Sequence, residues 1–101
     1  MIWCQMANLR IAFDVDDTLI TGLDMPNYLV INIYRWFQAQ GHTMVVWSGG
    51  GRDYAQMWGE KLGLNADVYL DKYDRGGIVV DIAFDDEHVE LGTVNVKVIS
   101  T

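Results

Sequence analysis

The segment Leu9-Arg10-Ile11-Ala12-Phe13-Asp14-Val15-Asp16-Asp17-Thr18-Leu19 constrains this chain more than any other. Its first half is an apolar run that reads as a buried strand, and its second half puts carboxylates where that strand ends. In an open α/β sheet the carboxyl ends of the strands face the ligand crevice, so Asp14 and Asp16 are expected to point at whatever binds there. Two acids spaced by one residue repel each other and are costly to hold together without a cation. A hard divalent ion such as Mg²⁺ takes oxygen ligands and commonly pairs with one or two carboxylates plus a phosphate.

The same grammar recurs downstream. Asp24 followed by Pro26 resembles a capped helix start, which predicts a first helix from about Pro26 to Gln40. Leu29, Ile33, Trp36 and Phe37 are expected on its inner face and Asn32, Arg35 and Gln38 on its wet face, with Gly41 as the stop. Thr43-Met44-Val45-Val46-Trp47 is a continuous apolar run, as in a central parallel strand, and Ser48 follows at its carboxyl end. Gly49-Gly50-Gly51 then turns the chain into a second helix, about Arg52 to Leu62, with Ala55, Trp58 and Leu62 inward and Gly63 as its stop. Ala66 to Leu70 is a short third strand, with Lys72 just beyond it.

Ile82-Ala83-Phe84 leads into a second acidic pair, Asp85-Asp86, at the end of another buried strand. A turn of helix is expected at Glu87 to Leu91. Val94, Val96 and Val98 then alternate with Asn95 and Lys97, the pattern of a half-exposed edge strand. Strands alternating with helices define an α/β domain with a mainly parallel sheet. Between Leu70 and Ile82 no helical pattern exists, and parallel crossovers usually take a dozen residues or more. The eleven residues Asp71 to Asp81 reach about 36 Å when extended, so an extended crossover replaces the helix expected there.

Composition narrows the class. At 101 residues the chain makes one domain, residues 1–101, and with half its residues hydrophobic it is a folded globule rather than a disordered one. Of the net charge of −7, Asp14, Asp16, Asp17, Asp85 and Asp86 contribute five, leaving −2. The acidity is mostly the site, and an acidic chain is a poor general binder of nucleic acid. One cysteine, Cys4, excludes an internal disulfide and suits a reducing compartment. No apolar run approaches the ~20 residues of a membrane span, so a cytoplasmic location is expected.

Asp14-Val15-Asp16-Asp17-Thr18 resembles the D-x-D-x-T first motif of haloacid dehalogenase-like phosphohydrolases. Ser48, Lys72 and Asp85-Asp86 resemble that family's second, third and fourth motifs, all in the family's order and together covering about residues 9 to 99. The resemblance implies a Rossmann-like core with a five-stranded sheet in the order 3-2-1-4-5, helices on both faces, and the two acidic pairs side by side. It implies Asp14 as the nucleophile that takes the phosphoryl group and Asp16 as the acid that protonates the leaving oxygen and then activates water. Asp14, the backbone carbonyl of Asp16 and a fourth-motif acid are implied around Mg²⁺, with Asp86 favoured as the ligand and Asp85 supporting the metal's water shell or Lys72. Ser48, Gly49, Lys72 and Thr18 are implied as phosphate contacts. Thr18 to Asp24 and Asp71 to Asp81 are too short for the family's cap modules, so the site should be open and suit macromolecular or polynucleotide phosphate ends. In compactness the chain is similar to small phage-encoded members.

Other patterns carry less. A calcium loop opened by Asp14, Asp16 and Thr18 would need glycine at Leu19 and glutamate at Met25. The Cys4 to Arg10 spacing of cysteine phosphatases lacks a glycine cradle and a helix start, and the three glycines lack the Lys-Ser/Thr of a P-loop. His42 and His88 are expected to be exposed, with nothing pairing them as a zinc site. Arg52 is read as a leaving-group contact or a solvated helix-start residue, and Asp17 and Asp81 as structural or solvated. Trp3, Trp36, Trp47 and Trp58 are many for a thin core, which suggests a homodimer interface. The rivals to a phosphatase are a binding or assembly module that keeps the metal site without useful catalysis, and a phosphoryl-accepting sensor resembling response regulators.

Overall fold

The computed structural model describes residues 8–99. Trp3 and Cys4 lie outside the described residues, as do all but Asn8 of residues 1–8, which carry no clear period and for which the sequence leaves a short extra strand or an arm open. The chain runs β1 (Arg10–Asp14), α1 (Tyr28–Ala39), β2 (Thr43–Ser48), α2 (Arg52–Lys61), β3 (Val68–Asp71), β4 (Ile82–Asp85) and β5 (Val94–Lys97). All five strands join one parallel sheet in the order β3-β2-β1-β4-β5. Register aligns Phe13 with Val46 on one side and with Phe84 on the other, so β1 is the central strand.

Handedness then decides which face the connections cover. Crossovers between parallel strands are right-handed, and β1 to β2 to β3 steps in one direction across the sheet, so both helices fall on the same face. Val30, Ile31 and Tyr34 of α1 and Ala55 and Trp58 of α2 accordingly share one core with Ile11, Phe13, Met44, Val46 and Phe84. Phe13 stacks on Phe84 at 4.4 Å between ring centroids and meets the edge of Tyr34 at 5.2 Å.

From β3 the chain returns across the sheet to β4 and goes on to β5, which sends its last two connections to the opposite face. No helix forms there. Val80 and Leu91, from the extended connections, pack on Ala12, Val45, Trp47 and Ala83. Arg75 lies over the Trp47 ring at 5.0 Å and its Nη1 donates to the Leu91 carbonyl at 2.8 Å, tying the two connections together above the tryptophan. The expectation of helices on both faces is therefore corrected: α1 and α2 share one face, and irregular chain covers the other. The expected helical turn at Glu87 to Leu91 is also absent.

The inner face of α1 differs from the periodic reading. Val30, Ile31 and Tyr34 are buried, while Leu29 is 81%, Trp36 60% and Ile33 42% exposed. Only Asn32 and Arg35 interrupt the apolar run from Tyr28 to Phe37, so the stripe is too wide for periodicity to choose a side. The buried side is selected by long-range bonds. The Tyr34 hydroxyl and Gln38 Nε2 both donate to the Leu64 carbonyl, at 3.1 and 2.8 Å, and Gln38 is thus partly buried rather than wet.

The start of α1 also shifts. Its N-cap is Asn27, because the chain first folds into a tight loop in which the Thr21 hydroxyl accepts from the N–H groups of Leu23 and Met25. His42 is buried, contrary to expectation, with its Nδ1 accepting from the Leu9 N–H at 3.1 Å. β5 is exposed at all four residues, more open than a half-covered edge strand. No helix among the described residues is long and apolar enough to cross a membrane.

Candidate functional site

The carboxyl ends of β1, β3 and β4 bring the acidic pairs and the lysine together. Asp14 closes β1 and Asp85 closes β4, its neighbour in the sheet, and both are buried. Carboxylate oxygens of Asp14, Asp85 and Asp86 lie within 4.8 Å of one another. Lys72, one residue beyond β3, is 4% exposed and donates to Asp85 Oδ2 at 2.9 Å and to Asp14 Oδ1 at 3.3 Å. It is aimed by its own backbone, whose N–H donates to the Ser48 carbonyl at 2.9 Å. The end of β3 is thereby pinned to the end of β2.

Three carboxylates against one ammonium leave two negative charges uncompensated. Burial, then the Asp85 charge, pushes the Asp14 carboxyl from 3.8 up to about 7, against the opposing pull of Lys72. Burial also raises Asp86. For Lys72 burial works against the ammonium, but the hydrogen bond to Asp85 and the charges of Asp14 and Asp85 outweigh it and hold its pKa above the ordinary lysine value.

A divalent cation fits this donor set. In an octahedral Mg²⁺ shell with bonds of about 2.1 Å, ligand oxygens sit about 3 Å apart when adjacent and about 4.2 Å apart when opposite. The observed spread exceeds that only slightly. Asp85 is already engaged on both oxygens, by Lys72 and by the Glu87 N–H at 2.9 Å. Asp14 is held at longer range, by Lys72 at 3.3 Å and by the Thr18 hydroxyl at 3.5 Å, and Asp86 lies nearer the surface.

The remaining expected residues surround this centre without all entering it. Thr18 is fully buried and its hydroxyl reaches Asp14 Oδ2 at a long 3.5 Å. Ser48 is buried at the tip of β2, its Oγ accepting from the Gly50 N–H at 3.0 Å, and Gly49 beside it is exposed. The Asp16 side chain is exposed and stands apart from the three-carboxylate cluster. Its Oδ1 accepts from the Tyr54 hydroxyl at 2.8 Å. Arg52 faces solvent beside Asp53 at 3.8 Å. Asp17 takes a left-handed backbone at φ 60° in the acidic turn. Asp81 is structural: its Oδ2 accepts from the Arg10 N–H at 2.8 Å, at the start of β1.

Sequence reasoning did not single out Tyr54 or Tyr73. The Tyr73 ring lies 5.3 Å from Lys72 Nζ and flanks Gly49, where a Cβ would come within 3.1 Å of it. The only local hint is the glycine run, which leaves room for two rings to approach the loop: Gly50 would place a Cβ 3.3 Å from the Tyr54 ring. Comparison with protein-family models, with curated proteins and with solved structures found no match. Fold and geometry define a parallel α/β domain with a buried acidic centre at its strand tips that could hold a metal.

The raised Asp14 carboxyl has a consequence for stability. The folded chain keeps this proton between about pH 4 and pH 7, where the unfolded chain has released it, so Asp14's contribution is full below the unfolded pKa and is lost as pH rises through the folded one. In chelator-treated protein, the melting temperature should fall between pH 5 and pH 8, and Asp14→Asn should flatten that fall. An equally steep fall in the variant would contradict the assignment.

Proposed function

We propose that this protein is a Mg²⁺-dependent phosphohydrolase of the haloacid dehalogenase type, cleaving phosphomonoesters through an aspartyl-phosphate on Asp14. The observation that carries the reading is the meeting of Asp14, Asp85 and Asp86 around one buried lysine at adjacent strand tips. A phosphate dianion cannot approach such a cluster unaided. Magnesium, when bound, would neutralise charge on the carboxylates and on the phosphoryl oxygens.

The chain's own residues supply the rest. Asp14 Oδ attacks phosphorus, and beside a cation its ionised form is favoured. Lys72 holds Asp14 and Asp85 in place and offers positive charge to the transferring group. Ser48, Gly49 and Thr18 are the proposed phosphate contacts, and the N–H groups at the start of α2 suit an anion. Asp16 protonates the leaving oxygen and then activates water. Asp86 is the proposed metal ligand beside Asp14 and the Asp16 carbonyl, and Asp85 supports Lys72.

With short connections after β1 and β3, the proposed site is open. It suits a phosphate on a nucleotide, a polynucleotide end or another large molecule, in a reducing cytoplasm. Turnover of a generic aryl phosphate with Mg²⁺ is expected to drop by at least about a thousandfold in Asp14→Asn, with the circular dichroism spectrum unchanged. Unchanged turnover would end the proposal. The second reading, a binding or assembly module with a metal but no useful catalysis, is favoured by the helix-free face. Bound Mg²⁺ without activity on a panel of phosphate esters would support it instead.

Homodimerisation belongs to the same proposal. Leu23, Met25, Tyr28, Leu29, Ile33 and Trp36 leave an apolar stripe along α1 and the loop before it, with Leu23 and Leu29 more than four-fifths exposed. Exposed large apolar side chains grouped on one helix and its entry loop are the kind of surface that marks an interaction site. No acid lies within α1, and Asp24, between Leu23 and Met25, is the one acid in the loop part of the stripe. Sedimentation at micromolar concentration should report a dimer that Trp36→Glu dissociates; monomer alone would contradict it.

A further inference from the structure

Asp16 is the one proposed catalytic carboxylate that nothing buries. Proton transfer to a leaving oxygen needs the donor within hydrogen-bond reach of it, and a misplacement of about 1 Å can cost about a hundredfold in rate. An exposed aspartate in a loop has free side-chain rotations, so something must hold it.

Tyr54 is built to do so. It is the third residue of α2, a helix fastened to the sheet by buried Ala55 and Trp58 on the turn that follows. Its ring lies against Gly50, whose missing Cβ would come within 3.3 Å of the ring, so the backbone of the glycine loop backs the phenol. From the first turn of α2 the hydroxyl reaches the β1–α1 connection and donates to Asp16 Oδ1 at 2.8 Å. Asp16 Oδ2 is the oxygen left for proton transfer.

We propose that Tyr54 is a positioning residue, fixing the Asp16 carboxylate for protonation of the leaving group through the Tyr54 Oη to Asp16 Oδ1 hydrogen bond. The role rests on the phosphohydrolase reading above. In the first half of that reaction a bond forms from Asp14 Oδ to phosphorus, the bond from phosphorus to the ester oxygen breaks, and the Asp16 proton passes to that oxygen. In the second half Asp16 takes a proton from water, the water oxygen bonds to phosphorus, and the Asp14 carboxylate departs.

A group acting through the acid has a signature that a structural group lacks. Phenyl phosphate has the more basic leaving oxygen and needs its proton; 4-nitrophenyl phosphate has nearly the same shape and needs it far less. Because kcat/KM reports the first transfer, Tyr54→Phe with Mg²⁺ should lower it about tenfold on phenyl phosphate and by less than about threefold on 4-nitrophenyl phosphate. Wild-type turnover of both esters with an equal loss on each in the variant, or with no loss, would overturn the positioning role alone. Wild-type protein inactive on both would overturn the phosphohydrolase reading and this role with it.

Discussion

Like charges forced together at the tips of two adjacent parallel strands are the constraint on which the rest of this structure depends. The order β3-β2-β1-β4-β5 makes β1 and β4 neighbours, so the acids that end them cannot avoid each other. Lys72 is the protein's own answer, and its backbone N–H is tied to the Ser48 carbonyl at the end of β2. One ammonium does not balance three carboxylates, and Asp14 carries a raised carboxyl, first because it is buried and then because of the Asp85 charge beside it. A site left in that condition is suited to a cation, and a cation held by carboxylates at strand tips is suited in turn to phosphate.

The topology that builds the site also explains where the fold is thin. Two crossovers run one way and carry helices; the return and the last step run the other way and carry extended chain. The second face therefore depends on a few contacts, chiefly Arg75 over Trp47 with Val80 and Leu91 beside them. The exposed β5 and the apolar stripe on α1 are further surfaces that so short a chain leaves open.

Much of this was legible in the sequence because strand ends are local events. An apolar run closing on Asp14, Ser48 or Asp85 marks both the strand and its tip, and the register confirms those runs as strands that pair. The inner face of α1 was not legible, because apolar residues surround most of the helix and the choice rests on Tyr34 and Gln38 reaching Leu64. The burial of His42 was missed for the same reason: its partner is the N–H of Leu9, far along the chain. Asp67 and Asp81 left a faint signal, each directly preceding a strand. Their carboxylates accept from the N–H of Met44, the second residue of β2, and from that of Arg10, the first residue of β1. Tyr54 left almost none, since its partner Asp16 lies in a different connection and only the glycines between hint at the approach.

The measurement that bears most directly on the central claim is anomalous diffraction from crystals soaked in Mn²⁺ as a stand-in for Mg²⁺. A single strong peak within bonding distance of carboxylate oxygens of Asp14 and Asp86, with Lys72 still paired to Asp85, is the predicted result. A cluster that holds no ion, or an ion bound elsewhere on the acidic surface, would contradict it.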